Sequence, residues 1–209
     1  MKDNTLEDVS HIKQLLFSDT PELAFKMLTN WNKDTVNQHF AMECSMFPLL
    51  CLQHLPFLLD GYDKLNFEGK QLSTLPPQIG EVKHLRTLIL SNNSLSVLPD
   101  KLGCLKTLVN LDLGTNLLKK FPGVLGQLTN LYTLRLEGNE ISSLPPIIGS
   151  LARLISLNLN DNKITSFPEE FKQLTHLKQL EIINNPLPKS EIEKVQEWLP
   201  DCEVSYLKF

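Results

Sequence analysis

Apolar residues recur along most of this chain with a period of 23 residues. Each period contains a six-residue run with leucine or a similar residue at its first, fourth and sixth positions, and mostly polar residues between them. The clearest runs begin at Leu85, Leu108, Leu131, Leu154 and Leu177. Such alternation predicts a short strand with one buried face, near residues 64–67 and then every 23 residues to 179–182. Because no single unit can bury its own leucines, the fixed period predicts parallel strands stacked side by side.

An asparagine follows each run at a constant distance. These residues are Asn93, Asn116, Asn139, Asn162 and Asn185. We expect their amides to turn inward and bond the backbone of the turn and of neighbouring repeats, since an unpaired buried backbone group costs about 1–3 kcal/mol. Lys70 holds this position in an earlier, degenerate copy that begins at Tyr62. There we expect a helical cap to replace the asparagine.

The second half of each repeat carries a proline, and in four repeats a glycine four residues later. The pairs are Pro76 and Gly80, Pro99 and Gly103, Pro122 and Gly126, and Pro145 and Gly149. Proline fixes an extended or first-turn conformation, and glycine commonly ends a helical turn. We therefore expect short turns here rather than long helices. Lys172 replaces the glycine after Pro168, which predicts a slightly longer helix.

The combined pattern, LxxLxLxxNxLxxLPxxIxxL, resembles the leucine-rich-repeat class with 23-residue units and a Leu-Pro signature, as in Ras-pathway scaffolds, plant Ras-group proteins and bacterial repeat proteins. It covers residues 62–187 as six units, of which the first is degenerate and the last partial. The resemblance implies an α/β solenoid, a horseshoe with a parallel concave sheet. It implies no particular activity, because a fold does not carry one.

Both ends of a solenoid need covering, because otherwise they expose core. Residues 1–61 do not repeat, and we predict a helical N-terminal capping region with helices over Leu6–Leu16, from about Pro21, and from about Asp34 with an interruption at Pro48. Whether this region only caps or also binds is open.

Residues 188–209 are predicted to form a C-terminal cap of one helix and one strand. Ser190–Glu193 has the form of a capping box that opens a helix, and Cys202–Tyr206 could add an edge strand. The segment Leu199–Cys202 also resembles a Leu-Pro-x-Cys segment that commonly ends the family's repeats. Cys202 is then expected to be a buried small apolar residue rather than a reactive thiol.

Charge and composition exclude several classes of partner and location. The net charge is −4 and no block of lysine or arginine occurs, so we predict no nucleic-acid partner. The stretch from Ala41 to Leu59 approaches membrane length but contains Glu43 and His54, so we predict no membrane insertion. The N-terminus lacks an apolar signal region, and the four cysteines show neither CxxC nor disulfide-framework spacing. We therefore predict a cytoplasmic monomer.

No motif for nucleotide binding, proteolysis, ester hydrolysis or phosphoryl transfer is present, so we predict no catalytic residue and no cofactor. The potential metal ligands His39, Cys44, Cys51 and His54 have a spacing that matches no zinc module, and we predict no metal site. The chain is therefore predicted not to be an enzyme. An enzyme with a site between the helical region and the first repeat is the alternative from another class.

The irregular residues between the leucines are the candidates for binding. On the strands they form columns that are mixed polar with an acidic lean, and beside the sheet Val109, Tyr132 and Ile155 form an apolar stripe flanked by Arg86 and Lys178. The predicted partner-binding residues are Ile89, Val109, Asp112, Tyr132, Arg135, Glu137, Ile155, Asn158, Asp161 and Glu181. A solvated face with local charge pairs, and a stripe tucked against its neighbours, are the structural alternatives.

The sheet face is small for a stable interface. Six strands with about seven usable residues each give a face of ~550 Å², below the ~800 Å² that each partner usually buries. A tight partner should therefore also touch the stripe or the helical region. The predicted function is a non-catalytic protein-interaction module, an adaptor, scaffold or regulatory subunit, with a regulator of a GTPase, kinase or phosphatase system or a host-directed effector as alternatives.

Overall fold

The computed structural model describes residues 6–16, 21–31, 34–36, 48–59 and 61–206. The chain divides into two compact units, Met1–Tyr62 and Asp63–Phe209. Among the described residues, no helix combines the length and the apolar character needed to cross a membrane.

The described part of the first unit contains three longer helices and, after them, a 3-10 helix. These are α1 (Leu6–Leu16), α2 (Pro21–Leu28), α3 (Pro48–His54) and the 3-10 helix Pro56–Leu59. Residues 34–36 are also helical. Pro48 begins α3, where proline is tolerated because the N–H that it lacks would have no partner in the first helical turn. The predicted helical segment between Asp34 and Pro48 lies largely outside the described residues. Ile12, Phe25, Leu28 and Leu52 are among the side chains fully buried here.

The cysteines differ in their state. Cys104 and Cys202 are free thiols and half-buried. Cys51 is buried and disulfide-bonded, which the spacing of the cysteines does not predict.

The second unit is a seven-stranded parallel sheet in which strand order follows chain order. The strands are β1 (Lys64–Asn66), β2 (Thr87–Ile89), β3 (Asn110–Asp112), β4 (Thr133–Arg135), β5 (Ser156–Asn158), β6 (Gln179–Glu181) and β7 (Glu203–Ser205). The predicted α/β solenoid is confirmed, including the final edge strand. The central leucines pair across the sheet from Leu65 through Leu88 and Leu111 to Leu180, and all are buried. Burial of each such side chain stabilises the fold by about 1.5–3 kcal/mol.

The asparagines connect each repeat to the one before it. Asn116 donates from Nδ2 to the carbonyl oxygens of Leu90 at 3.0 Å and Leu113 at 3.1 Å, and its Oδ1 accepts from the N–H of Leu95 at 3.0 Å. Asn93 serves the first repeat in the same way, through the carbonyl of Phe67 and the N–H of Leu72. The first repeat is therefore bonded through the asparagine of the second repeat, and the expectation that a helical cap takes over the role of an asparagine at Lys70 stays a prediction.

Between consecutive strands the chain turns back through five short 3-10 helices. They are Pro77–Glu81, Asp100–Cys104, Gly123–Gln127, Pro146–Ser150 and Glu169–Gln173. All have the same length, so the prediction of a longer helix at Lys172 is wrong. Each ends in the same bond, such as that from the N–H of Leu174 to the carbonyl of Phe171.

The glycines in these turns allow close packing rather than ending the turn. None of the four has a positive φ. An added Cβ at Gly80 would overlap the carbonyl oxygen of Lys101 in the next turn, and one at Gly149 would lie 2.8 Å from the carbonyl oxygen of Glu170. Successive turns therefore stack more tightly than a side chain would permit.

The repeats end against α4 (Lys189–Trp198), whose Ile192 and Val195 are buried. The predicted capping box is wrong, because Pro188 occupies the N-cap without a side-chain hydrogen bond. Glu191 instead accepts a hydrogen bond from the N–H of Phe167 at 2.8 Å and pairs with Lys194 at 2.9 Å. This helix therefore closes the solenoid through the fifth repeat.

Candidate functional site

The exposed face of the sheet presents one side chain from each strand in a continuous row. The parallel register aligns Asn66, Ile89, Asp112, Arg135, Asn158, Glu181 and Ser205. Neighbours in this row are about 4.8 Å apart, the spacing of paired strands. A shallow cavity of about 160 Å³ lies over the first part of the row, where Ile89, Asp112 and Arg135 line it.

The centre of this face carries an unusual carboxylate. Glu137 lies over Gly114, where an added Cβ would be 2.8 Å from its Oε1 atom. Its Oε2 atom is buried and has no hydrogen-bond partner among the described residues. Burial raises the pKa of Glu137, as do the charges of Asp112 and Glu181, while its own backbone N–H and Arg135 lower it. The face thus has one carboxyl group that is costly to ionise.

The flank stripe, Val109, Tyr132 and Ile155, lies beside the start of strands β3 to β5. The N–H of Tyr132 donates to the carbonyl of Val109 at 2.8 Å, and the N–H of Ile155 donates to the carbonyl of Tyr132 at 2.9 Å. These backbone bonds hold the three side chains in register. Tyr132 is 42% exposed and Ile155 is 43% exposed, whereas Val109 is half-buried. The stripe is therefore an exposed apolar surface rather than one tucked against its neighbours.

Four of the predicted binding residues take part in local hydrogen bonds, and the first of them, Asp112, accepts from the N–H of Gly114 at 3.0 Å. Asn158 accepts from the N–H of Asn160 at 3.0 Å, and Glu181 accepts from the side chain of Asn160 at 2.8 Å. Asp161 accepts from the side chain of Asn184 at 2.7 Å. Their polar groups support the turns that follow the strands, in contrast to Arg135, which has no ion pair among the described residues.

The left-handed residue of each turn is the feature that sequence reasoning missed. Asp161 has a φ of 55°, and the equivalent residue of every repeat also has a positive φ. These residues are Gly69, Asn92, Thr115, Gly138, Asp161 and Asn184. Glycine, asparagine and aspartate tolerate this conformation best. Their recurrence one position before the repeating asparagine is the sequence signal from which these left-handed turns could have been predicted.

The remaining polar candidates have separate surroundings. Glu140 pairs with Lys163 at 2.8 Å, and that hydrogen bond lowers the pKa of Glu140. Among the described residues, no group of three or more potential ligands could hold a metal ion, and His39 and Cys44 lie outside them. The Nε2 atom of His54 is buried and has no hydrogen-bond partner among the described residues, and burial lowers the pKa of this histidine.

Known proteins share this architecture. A family model described as a leucine rich repeat matches residues 83–141 and 129–187. An internalin (inlF) from Listeria monocytogenes aligns with a TM-score of 0.54 and 24% identity, over 65% of this chain and 38% of its own, which shows the fold alone. No curated protein matches the chain.

A plant structure aligns slightly better. It is the leucine-rich-repeat ectodomain of the membrane receptor kinase GASSHO1/SCHENGEN3 from Arabidopsis thaliana, in complex with CASPARIAN STRIP INTEGRITY FACTOR 2. The TM-score is 0.57 and the identity 30%, over 69% of this chain. This chain spans only 18% of that ectodomain and 38% of the internalin.

Proposed function

The chain belongs to the leucine-rich-repeat family, and from that premise we propose that it is a non-catalytic module that binds a protein partner through the sheet face and the flank stripe. Domains of this family generally mediate interactions between proteins and are typically not catalytic. The plant ectodomain described above is itself in complex with a second molecule. The adaptor, scaffold or regulatory-subunit role is part of this proposal.

The observation that carries the proposal is the exposure of Tyr132 and Ile155 in adjacent repeats. Interfaces favour a tyrosine-centred apolar core with a charged rim, because a desolvated ring contributes much area at little conformational cost. Arg135 lies two residues after the start of β4 and is exposed, so a partner seated on Tyr132 would meet its guanidinium group. Arginine is also among the residues that dominate binding energy in such patches.

The proposal includes a monomer in the cytoplasm. Subcellular fractionation with detection of the protein inside and outside the cell tests that location. No described feature favours a host-directed effector, a regulator of a GTPase, kinase or phosphatase, or an enzyme over the binding module.

Site-specific photo-crosslinking tests the proposed surface. A benzophenone amino acid in place of Tyr132 should crosslink the partner in cells, and mass spectrometry should identify the same protein when the probe replaces Ile155. The matched control places the probe at Glu197, an exposed residue of α4 outside the stripe. Adding Arg135→Glu should reduce the crosslinked yield. Equal yields from all three positions, or no specific partner at Tyr132 and Ile155, would remove this surface from consideration.

A further inference from the structure

The third repeat departs from the others just after its strand. Leu117 occupies a position that is polar in the other full repeats, namely Gln71, Ser94, Glu140 and Lys163. Lys119 and Lys120 occupy a pair of positions that elsewhere holds Ser73 and Thr74, Ser96 and Val97, Ser142 and Ser143, or Thr165 and Ser166. The scaffold does not require these exchanges, because the other repeats form the same turn without them. They place one apolar and two basic side chains on a single side of the solenoid.

These residues border an apolar groove. The groove, here the Leu117 groove, has a volume of about 340 Å³ and lies between the second and third repeats. Val97, Leu98, Leu117, Phe121 and Val124 line it. Val97 is 65% exposed and Leu117 is 48% exposed, although both are large apolar residues. Because the groove follows the strands and the flank stripe precedes them, the two surfaces lie at opposite ends of the parallel strands.

A glycine lines the groove at a position where the other repeats have a side chain. Gly123 begins the third 3-10 helix, where the other repeats have Pro77, Asp100, Pro146 or Glu169. An added Cβ at Gly123 would meet no atom within 4 Å, and the φ of this residue is not positive. Neither close packing nor backbone conformation therefore requires glycine here. Its effect is to leave out a side chain at the groove, which is large enough to accept a leucine or phenylalanine side chain.

The charges at the rim are mostly basic. Lys119 and Lys120 are exposed, and neither has an ion pair within the described part of the chain. The charge of Lys119 lowers the pKa of Glu140, but Glu140 is already paired with Lys163 at 2.8 Å. Asp100 is the acidic residue that lines the groove. In a chain of net charge −4, this is a local basic site beside an apolar depression.

We propose that the Leu117 groove binds an acidic segment of a partner protein, which inserts one bulky apolar side chain beside Leu117 and pairs its carboxylates with Lys119 and Lys120. The apolar anchor removes the exposed surface of Val97 and Leu117 from water, which is the main source of affinity. Carboxylates at the rim steer the segment and fix its direction, and charges of the wrong sign are rejected.

Selection from a random library tests this proposal without assuming a ligand. Phage-displayed 12-residue peptides are selected on the whole chain after depletion on the Gly123→Phe variant, whose added ring should fill the groove. The enriched peptides should combine at least two acidic residues with a leucine, isoleucine, methionine or phenylalanine. The best of them, labelled with fluorescein, is then titrated by fluorescence anisotropy.

Matched variants test the apolar contact and the basic rim separately. Leu117→Ser should weaken binding of the peptide about tenfold, as expected for loss of one anchor contact. Lys119→Glu with Lys120→Glu should weaken it about tenfold and reverse its dependence on salt. Lys64→Glu with Lys70→Glu makes the same change in net charge in the first repeat, at two exposed residues, and should leave binding within about twofold. Circular dichroism checks that each variant is folded. If Gly123→Phe does not fold, binding of the peptide to Leu117→Ser is the deciding measurement.

The proposal is overturned if no peptide is enriched, if the enriched peptides lack acidic residues, or if Leu117→Ser binds them as tightly as the natural chain. The variant with Tyr132→Ala and Arg135→Glu should bind the peptide normally, because those residues belong to the other surface. Loss of crosslinking at Tyr132 with retained peptide binding would thus reject the proposed function and leave this inference standing.

Discussion

Asn116 accepts a hydrogen bond at its Oδ1 atom from the N–H of Leu95, at 3.0 Å and 21 residues earlier in the chain. The same amide donates to carbonyl oxygens on both sides of the repeat boundary. One buried side chain therefore joins two repeats, and the recurrence of asparagine at this position makes each repeat dependent on the next.

Replacing Asn116 by alanine should lower the free energy of unfolding by about 2–4 kcal/mol, because a buried N–H and buried carbonyl groups lose their partners. Urea denaturation followed by circular dichroism measures this. Asn110→Ala is the control, since Asn110 is exposed on the sheet and its side chain donates to the hydroxyl of Thr87 at 3.2 Å, and it should change stability by less than about 0.5 kcal/mol. Similar losses of stability in the two variants would show that the buried asparagine does not stabilise the repeats more than an exposed one does.

The glycines of the 3-10 helices give a second, paired prediction. Gly80→Ala should destabilise the protein by about 1–3 kcal/mol, because its Cβ would overlap the carbonyl oxygen of Lys101. Gly123→Ala should be neutral or stabilise the protein by up to about 1 kcal/mol, because the new Cβ meets open space and the unfolded chain loses freedom. The melting temperatures of the two variants measure this difference. Equal changes in melting temperature would contradict the explanation that Gly80 is needed for close packing.

The fold was predictable because its signals repeat. Leu88, Leu111 and Leu134 occupy one frame, so the strands and their parallel register follow from the period alone. The packing role of Gly80 was not predictable, because it depends on the distance to the next turn rather than on local conformation. The C-terminal helix likewise begins at Lys189 behind Pro188, and its Glu191 bonds the fifth repeat instead of capping its own helix.

The candidate site was harder to predict for a physical reason. The columns of the sheet face follow from the register, so the positions of Asp112 and Arg135 could be anticipated. Which polar groups are free depends on side-chain hydrogen bonds, and the sequence does not show that Asp161 bonds Asn184. The exposure of Leu117 could not be predicted from the sequence either, because its neighbour Leu118 is fully buried in the same turn.

Glu137 should make stability depend on pH in a direction unusual for a carboxylate. Its pKa is raised, chiefly by burial, so its stabilising contribution is present below the pKa of the unfolded chain and is lost as pH rises through the higher folded pKa. Glu137→Gln should therefore have a higher melting temperature than the natural chain at pH 7, with the difference shrinking by about pH 4. For Glu140→Gln the difference in melting temperature at pH 7 should have the opposite sign, because the hydrogen bond from Lys163 lowers the pKa of Glu140. The melting temperature of Glu137→Gln is compared with that of the natural chain at each pH. If this difference is less favourable to the variant at pH 7 than at pH 4, the raised pKa of Glu137 is contradicted.

Cys202 should behave as a protected thiol despite being free. Burial raises its pKa to about 11, opposed by Lys178 and supported by Glu203. The thiolate is the reactive form, so at pH 8 alkylation by iodoacetamide should be about 10–100-fold slower in the folded protein than in urea. Mass spectrometry of the peptide that contains Cys202 measures the rate, which should keep rising with pH beyond 10. Because the half-buried thiol owes this pKa mainly to burial, a folded rate equal to the rate in urea would mean that the sulfur atom is not buried in solution.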